Sequence, residues 1–126
     1  MIQILAEERK KLLRRMGELG NFPSIKLVLD ENLIVEDLND GGMGSFKIIL
    51  PLEYQGKNTG QSAIDVVSED VDGVMLIASL FLNERGFPCE VDIWKVDFST
   101  LVRLPTTWEL ANFPRFPGSG TGENSC

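Results

Sequence analysis

The 126-residue sequence contains no histidine and only two cysteines. Without histidine, Ser-His-Asp catalysis, histidine-ligated zinc and histidine acid–base chemistry are excluded. Two cysteines alone cannot complete a structural zinc site. An enzyme would then need a lysine or a carboxylate pair, for example Lys95 or Asp92 with Asp97. We expect these groups on the open face of a strand, whereas a catalytic pair normally needs a pocket. The sequence therefore predicts a protein that is not an enzyme and holds no cofactor.

Long apolar runs are also missing. No stretch approaches the roughly 20 apolar residues of a membrane-spanning helix, and no charged segment precedes an apolar run of signal-peptide length. Cys89 has core parity in a predicted strand, and Cys126 lies in a terminal segment too flexible to fix a disulfide geometry. We interpret Cys89 as a small buried hydrophobic residue. These features predict a cytoplasmic protein without membrane contact.

Basic residues are scarce outside the first helix. The chain has 12 basic and 19 acidic residues, a net charge of −7, and residues 16–126 alone carry −10. The five bases before Met16 are Arg9, Lys10, Lys11, Arg14 and Arg15. An acidic body repels the phosphates of nucleic acids and attracts a basic partner. The alternative is that the charge serves solubility alone.

What the sequence does have is a strong β-hairpin pattern across residues 74–98. Residues 74–82 are apolar at both parities, which is typical of a strand inside a sheet. They pair with residues 89–96 through the turn 83–86. In the second strand the apolar parity shifts after Ile93, which predicts a β-bulge near Ile93 and Trp94. The predicted outward residues are Glu90, Asp92, Lys95 and Asp97.

The remaining elements suggest one α+β domain. Apolar residues at helical spacing predict a helix over 5–19, whose apolar stripe packs on the sheet and whose basic residues lie against the acidic body. The segment 24–29 fits either a strand or a helical turn. Further strands are predicted at 33–38, 45–50 and 62–67, and a short helical turn is predicted to begin at Ser99. The expected fold is an antiparallel five-stranded meander sheet with the N-terminal helix packed on one face. Residues 1–112 form the domain and residues 113–126 a flexible C-terminal tail, and we expect that deleting residues 118–126 leaves melting temperature and partner binding unchanged.

Two loops resemble ligand sites without completing one. The glycine-rich segment 39–44 could expose amides to an anion, but no helix and no Lys-Ser/Thr pair follows, so a hairpin turn is favoured. Asp70 and Asp72 could suggest calcium, but the spaced ligands and terminal glutamate of a calcium loop are missing.

Three segments carry a family resemblance. They are DGGMGS at 40–45, DGV at 72–74, and DIWKVDFS at 92–99 followed by Leu101 and Arg103. Together they resemble a family of small bacterial domains of unknown function, over about residues 5–105. Such families often occur among immunity proteins of bacterial competition toxins, and the resemblance implies that role here.

These observations lead to two functional hypotheses. The first is an intracellular immunity protein that neutralises a basic cognate toxin by direct binding, because binding requires only a surface and an acidic inhibitor gains association rate from opposite charge. The predicted partner-binding residues are Glu90, Asp92, Trp94, Lys95, Asp97, Asp40 and Met43.

The second hypothesis is a small-molecule or regulatory domain with a pocket between helix and sheet, lined by Met75, Ile77, Phe81 and Trp94. A toxin gene directly upstream would favour the first, and a copurifying metabolite the second.

Overall fold

A computed structural model describes residues 2–29 and 32–111 of the chain. Two helices and seven strands make up this part, together with a short 3₁₀ helix at Leu52–Tyr54. In chain order they are β1 (Ile2–Ile4), α1 (Glu7–Gly20), α2 (Pro23–Leu29), β2 (Ile34–Asp37), β3 (Phe46–Ile49), β4 (Asn58–Glu69), β5 (Met75–Asn83), β6 (Pro88–Lys95) and β7 (Glu109–Leu110). The α+β class is as predicted.

The strands form a single antiparallel sheet in the order β1-β2-β3-β6-β5-β4-β7. The prediction that residues 74–82 form an interior strand paired with 89–96 is confirmed, since β5 lies between β6 and β4. The predicted count of five strands is wrong. β1 and β7 are only three and two residues long, too short to produce a period-two pattern. The sheet also departs from a simple meander, because β6 inserts between β3 and β5.

Both helices cover one side of the sheet. In α1, Leu12, Leu13 and Met16 are fully buried, and their spacing places them on one stripe against the sheet. Asn21 ends this helix in the left-handed conformation, with φ of 57°, and its N–H donates to the carbonyl of Gly17. The ambiguous segment 24–29 is helical and belongs to α2, whose first residue is Pro23, where a missing N–H costs nothing. The predicted packing of the N-terminal helix on one face is therefore observed.

The irregularity in the β5–β6 pair lies elsewhere than predicted. Residue pairs from Leu76 with Lys95 to Phe81 with Glu90 are in continuous register, and the shift falls between Phe81 and Leu82, at Cys89. Val91, Ile93 and Lys95 therefore face the helices, whereas Glu90, Asp92 and Trp94 face the other side, here called the open face. The predicted bulge near Ile93 and Trp94 is wrong.

Lys95 consequently points inward and is fully buried, contrary to its predicted outward position. Lysine faces solvent in most strands, which is why the alternation predicts an outward Lys95. Here two aspartates compensate its charge inside the fold, so that an inward lysine is accommodated.

Two further expectations change. Residues 99–108 form no helix, so the helical turn predicted at Ser99 is absent. Cys89 is 1% exposed, as predicted, but its sulfur is disulfide-bonded. Cys89 therefore gives no support to the prediction of a reducing compartment. The predicted tail 113–126 and Cys126 lie outside the described residues.

No helix in the described ranges is long and apolar enough to cross a membrane.

Leu80→Ala should destabilise the domain by about 2–5 kcal/mol, because truncating a buried leucine removes transfer free energy and leaves a cavity. Leu80 lies on β5 and is fully buried in the core beneath the helices. Thermal or denaturant unfolding measures the loss. Leu27→Ala on the exposed side of α2 is the matched control, since Leu27 is 49% exposed. A change no larger than that of the control would show that β5 is not central to stability.

Candidate functional site

The three segments of the family resemblance meet at one end of the sheet. We call this region the motif corner and define it as residues 40–45, 70–75 and 95–103. The start of β3 pairs with β6, and the end of β6 pairs with the start of β5, so that the adjoining turns converge. The strand order, with β6 inserted between β3 and β5, is what brings these turns together.

Lys95 is the centre of the motif corner. Its Nζ donates to Asp70 Oδ2 at 2.9 Å, to Asp72 Oδ2 at 2.5 Å and to the carbonyl of Thr100 at 3.1 Å. The side chains of Lys95 and Asp70 are fully buried, while that of Asp72 is 39% exposed. All three ammonium protons of Lys95 are thus satisfied. This geometry ties the 70–74 turn to the chain that follows β6.

Asp70 binds the same two segments through its other contacts. Its carboxylate accepts backbone N–H groups from Val71 at 2.7 Å, Val102 at 2.7 Å and Arg103 at 3.1 Å. Burial alone would raise the pKa of Asp70, but the hydrogen bonds from Val102, Lys95, Val71 and Arg103 outweigh it and lower the pKa to about 2. For Lys95, burial would lower the pKa, and the hydrogen bonds to Asp72 and Asp70 raise it. Both groups therefore carry charge at neutral pH.

The glycine-rich turn packs against this pair. Asp40 accepts the N–H groups of Met43 and Ser45, which closes the turn. Gly42 and Gly44 have φ of 80° and 99°, and a Cβ on either would lie 2.9 or 2.8 Å from a side-chain carbon of the 100–101 segment. Only glycine fits both the backbone conformation and the close approach. The hairpin-turn interpretation of this segment is therefore supported.

Asp40 and Met43, two of the predicted partner-binding residues, help to hold the corner together. The Met43 sulfur accepts the backbone N–H of Lys95 at 3.4 Å. Ser45 Oγ lies buried against β6, where it accepts the N–H of Ile93 at 2.8 Å and lies 3.2 Å from the Ile93 carbonyl. These contacts make the corner one hydrogen-bonded unit.

Apolar side chains project from this unit into solvent. They are Val71 (67% exposed), Met75 (46%), Val96 (38%), Phe98 (70%) and Val102 (62%). Each belongs to a segment that the buried ion pair holds in place: Val71 and Val102 donate to Asp70, and Phe98 N–H donates to the Lys95 carbonyl. Exposed apolar side chains gathered on a rigid support are typical of interaction sites.

Phe98 is the most unusual of these residues. Its φ is 62°. Among the described residues other than glycine, Phe98 and Asn21 have a positive φ. A bulky residue in this conformation is a genuine outlier, with a cost of order 1–3 kcal/mol. Asp97 Oδ1 fixes the turn by accepting the Ser99 N–H at 3.0 Å and the Ser99 hydroxyl at 2.6 Å, and these bonds lower the pKa of Asp97. The strained turn presents the Phe98 ring to solvent, with its centroid 5.9 Å from that of Trp94.

Sequence reasoning missed Phe98 as a surface residue, because the apolar parity shift grouped it with the inward side chains. The available signal was Asp97 followed by Ser99. An aspartate that can hydrogen-bond two residues ahead indicates a turn rather than a continuing strand.

Two of the predicted partner-binding residues, Glu90 and Asp92, lie on the open face. Glu90 is 8% exposed and sits directly opposite Lys47 of β3. Burial, the charge of Asp92 and a hydrogen bond with Asp92 raise the pKa of Glu90 to about 7, although the charge of Lys47 acts to lower it. Burial also raises the pKa of Asp92, and the charge of Asp40 adds to this. The pair therefore holds a proton near neutral pH.

The Glu90 shift predicts a pH-dependent stability. Since the folded pKa of about 7 exceeds the ordinary 4.5, folding favours the protonated form, and this stabilisation is complete below pH 4.5 and is lost as the pH rises through 7. Allowing for solvent screening, the loss should be about 1–2 kcal/mol. Glu90→Gln should remove this part of the pH dependence in denaturant unfolding between pH 4.5 and 8. Glu69→Gln, at an exposed position of β4, is the control; identical pH profiles for wild type and Glu90→Gln would contradict the assignment.

The predicted pocket between helix and sheet is not formed by the residues proposed for it. Met75, Ile77, Phe81 and Trp94 alternate with core residues and so lie on the open face, away from the helices. A cavity of about 370 Å³ lies instead beside the two helices; its lining includes Arg14, Phe22, Lys26 and Leu29. Among the described residues, no cluster of three or more acidic or cysteine side chains could hold a metal ion.

No curated protein and no solved structure matches this chain. The model of the family described as "Domain of unknown function (DUF6984)" matches residues 2–105, a range that includes the entire motif corner. This match confirms the predicted membership of a small family without an assigned function. Because the match covers most of its length, the chain belongs to the DUF6984 family.

Proposed function

We propose that this domain is a non-enzymatic protein-binding module and that the motif corner is its binding surface. The observation that carries the proposal is Phe98, a 70% exposed aromatic side chain held in a left-handed backbone conformation by a buried ion pair and an aspartate turn. A fold that needed only stability would place asparagine or glycine there. Exposed aromatic anchors, by contrast, supply much of the binding energy of protein interfaces.

The charges around the corner favour a basic protein partner. Asp72 and Asp97 border the exposed apolar residues, Glu69 lies opposite Met75 on β4, and Asp92 follows on the open face. The whole chain carries −7. Carboxylates around an apolar centre steer a basic protein into contact and repel nucleic acid. Basic proteins therefore fit this surface, and nucleic acids do not.

More specifically, we propose an intracellular immunity protein that neutralises a cognate bacterial toxin by covering its basic cleft. The small size, the acidic charge and the lack of histidine support a role that requires binding without catalysis. The proposal predicts a toxin gene directly upstream, and the test is to coexpress the protein with the product of that gene. Copurification and restored growth of the toxin-producing cells are the expected results. Growth arrest despite normal expression of both proteins, or a metabolite bound to the purified domain, would contradict the proposal.

The steering part of the proposal has its own prediction. Asp97→Asn, whose amide oxygen can still accept the Ser99 hydrogen bonds, should slow association with the basic partner about twofold at low salt and weaken its salt dependence, because rim charges act mostly on the encounter rate. Stopped-flow or surface-binding kinetics across salt concentrations measure both effects. Glu53→Gln, in the exposed 3₁₀ helix, is the control with the same change of charge. Equal association rates for the two variants would show that the corner does not face the partner.

A further inference from the structure

The short strand β1 forms one edge of the sheet and presents an apolar, uncharged strand to solvent. Ile2 and Ile4 are 63% and 64% exposed, and Ile34 of β2, which lies directly opposite Ile4, is 41% exposed. Among the described strands, only β2 pairs with β1. Natural sheets commonly protect an edge with a charged residue, a proline or a bulge, and β1 has none of these.

The hydrogen bonds between β1 and β2 indicate which backbone groups face this edge. Leu5, just after β1, donates its N–H to the carbonyl of Leu33 at 2.8 Å, which continues the ladder of the β1–β2 pair. Because bonding alternates along an antiparallel ladder, Gln3 bonds with β2, whereas the N–H and C=O groups of Ile2 and Ile4 point away from it. The edge therefore offers a donor and an acceptor at each of these two residues.

We propose that β1 pairs antiparallel with β1 of a second copy of this chain, so that two sheets join into one across a two-fold axis at Gln3. In this register Ile2 of each protomer forms a hydrogen-bonded pair with Ile4 of the other, and the outward N–H and C=O groups of both residues are used. A register shifted along β1 leaves part of these groups unused. The strand is thus complementary to itself, which is what a closed two-fold interface requires.

The side chains of the edge fit the same arrangement. Ile2, Ile4 and Ile34 lie on the open face, because Val35, between the β2 residues opposite them, faces the helices. In the dimer, Ile4 lies between Ile34 of its own protomer and Ile2 of the partner, so that exposed apolar area is buried in two symmetric rows. Two chains that each carry −7 repel each other least where they meet through an uncharged strand, and a basic partner finds no counter-charge on β1.

The small contact predicts a reversible dimer. β1 has only three residues, and interfaces well below about 1,200 Å² are typical of weak, transient complexes. Each protomer keeps its motif corner accessible, because β2 and β3 separate β1 from β6.

The first experiment changes the charges that face each other across the axis. Ile2→Lys with Ile4→Lys places like charges opposite each other, whereas Ile2→Lys with Ile4→Glu places opposite charges there. In sedimentation from about 10 μM to about 1 mM, wild type should form a concentration-dependent dimer, and the first variant should dissociate about tenfold more readily than the second. The first variant is less acidic overall, so general charge repulsion predicts the opposite order. A wild type that stays monomeric, or equal dissociation constants for the two variants, would overturn the proposal.

The second experiment tests the register and decides the matter if either double variant fails to fold. Gln3→Cys should form a disulfide-linked dimer under mild oxidation, because the two Cα atoms at the axis lie about 4.5 Å apart, within disulfide range. Glu36→Cys, at an exposed position of β2, is the matched control, since its two copies lie at least about 14 Å apart, three interstrand spacings. Peptide mass spectrometry distinguishes this link from one through a native cysteine. Equal cross-linking of both variants, or no link through the introduced cysteine of Gln3→Cys, would refute the pairing.

Discussion

Asp70→Asn is expected to lower the melting temperature by about 10 °C or more, because it leaves the buried Lys95 ammonium without its fully buried counter-charge. The same change weakens the hydrogen bonds from Val102 and Arg103 N–H, which hold the exposed apolar side chains of the motif corner. Thermal unfolding followed by circular dichroism measures the loss. The matched control is Asp72→Asn, which removes an equal charge from the other partner of Lys95. Since Asp72 is 39% exposed, water can replace part of its contact and the decrease should be smaller.

The same variant predicts a change in acid stability. Because the pKa of Asp70 is lowered to about 2 from 3.8, its ionised form stabilises the fold fully above pH 3.8, and this contribution is lost as the pH falls through 2. The melting temperatures of wild type and Asp70→Asn should therefore converge as the pH is lowered across this range. A constant difference between them down to pH 2 would mean that the effect of the substitution is steric rather than electrostatic.

The β5–β6 hairpin was predictable because its signal is local. A strand that is apolar at both parities is typical of the inside of a sheet, and β5 indeed lies between β6 and β4. β1 and β7 were not predictable, because strands of two or three residues form only when an existing edge offers them a partner. The insertion of β6 beside β3 likewise depends on long-range pairing that no local pattern contains.

The candidate site was predictable in part. The family resemblance selected the segments that converge at the motif corner, but the parity of β6 was misassigned after Ile93. The assignment failed because a buried lysine and an exposed phenylalanine are both exceptions to the rule that apolar residues face inward and charged residues face outward. Lys95 is inward because Asp70 and Asp72 compensate its charge, and Asp70 lies 25 residues earlier in the sequence. Phe98 is outward because the Asp97 turn ends the strand.

Phe98→Asn should weaken partner binding by about 30-fold or more while leaving the fold as stable as wild type or slightly more stable. Asparagine adopts the left-handed conformation more readily than phenylalanine, so the substitution relieves backbone strain. It also removes the ring contact with Trp94, worth about 0.5–1.5 kcal/mol, so the two effects on stability nearly cancel. Isothermal titration with the partner and thermal unfolding measure the two quantities separately.

Leu52→Asn is the matched control for the loss of an exposed apolar side chain, since Leu52 is 83% exposed and lies in the 3₁₀ helix outside the motif corner. It should leave the affinity unchanged. If Phe98→Asn binds the partner as tightly as this control does, the exposed ring is not an anchor. If it instead unfolds the domain, the ring stabilises the fold despite its exposure. A loss of affinity without a loss of stability is the result that only a binding role for Phe98 produces. If Phe98 had a purely structural role, replacing it with a residue that fits the strained conformation better would not weaken binding.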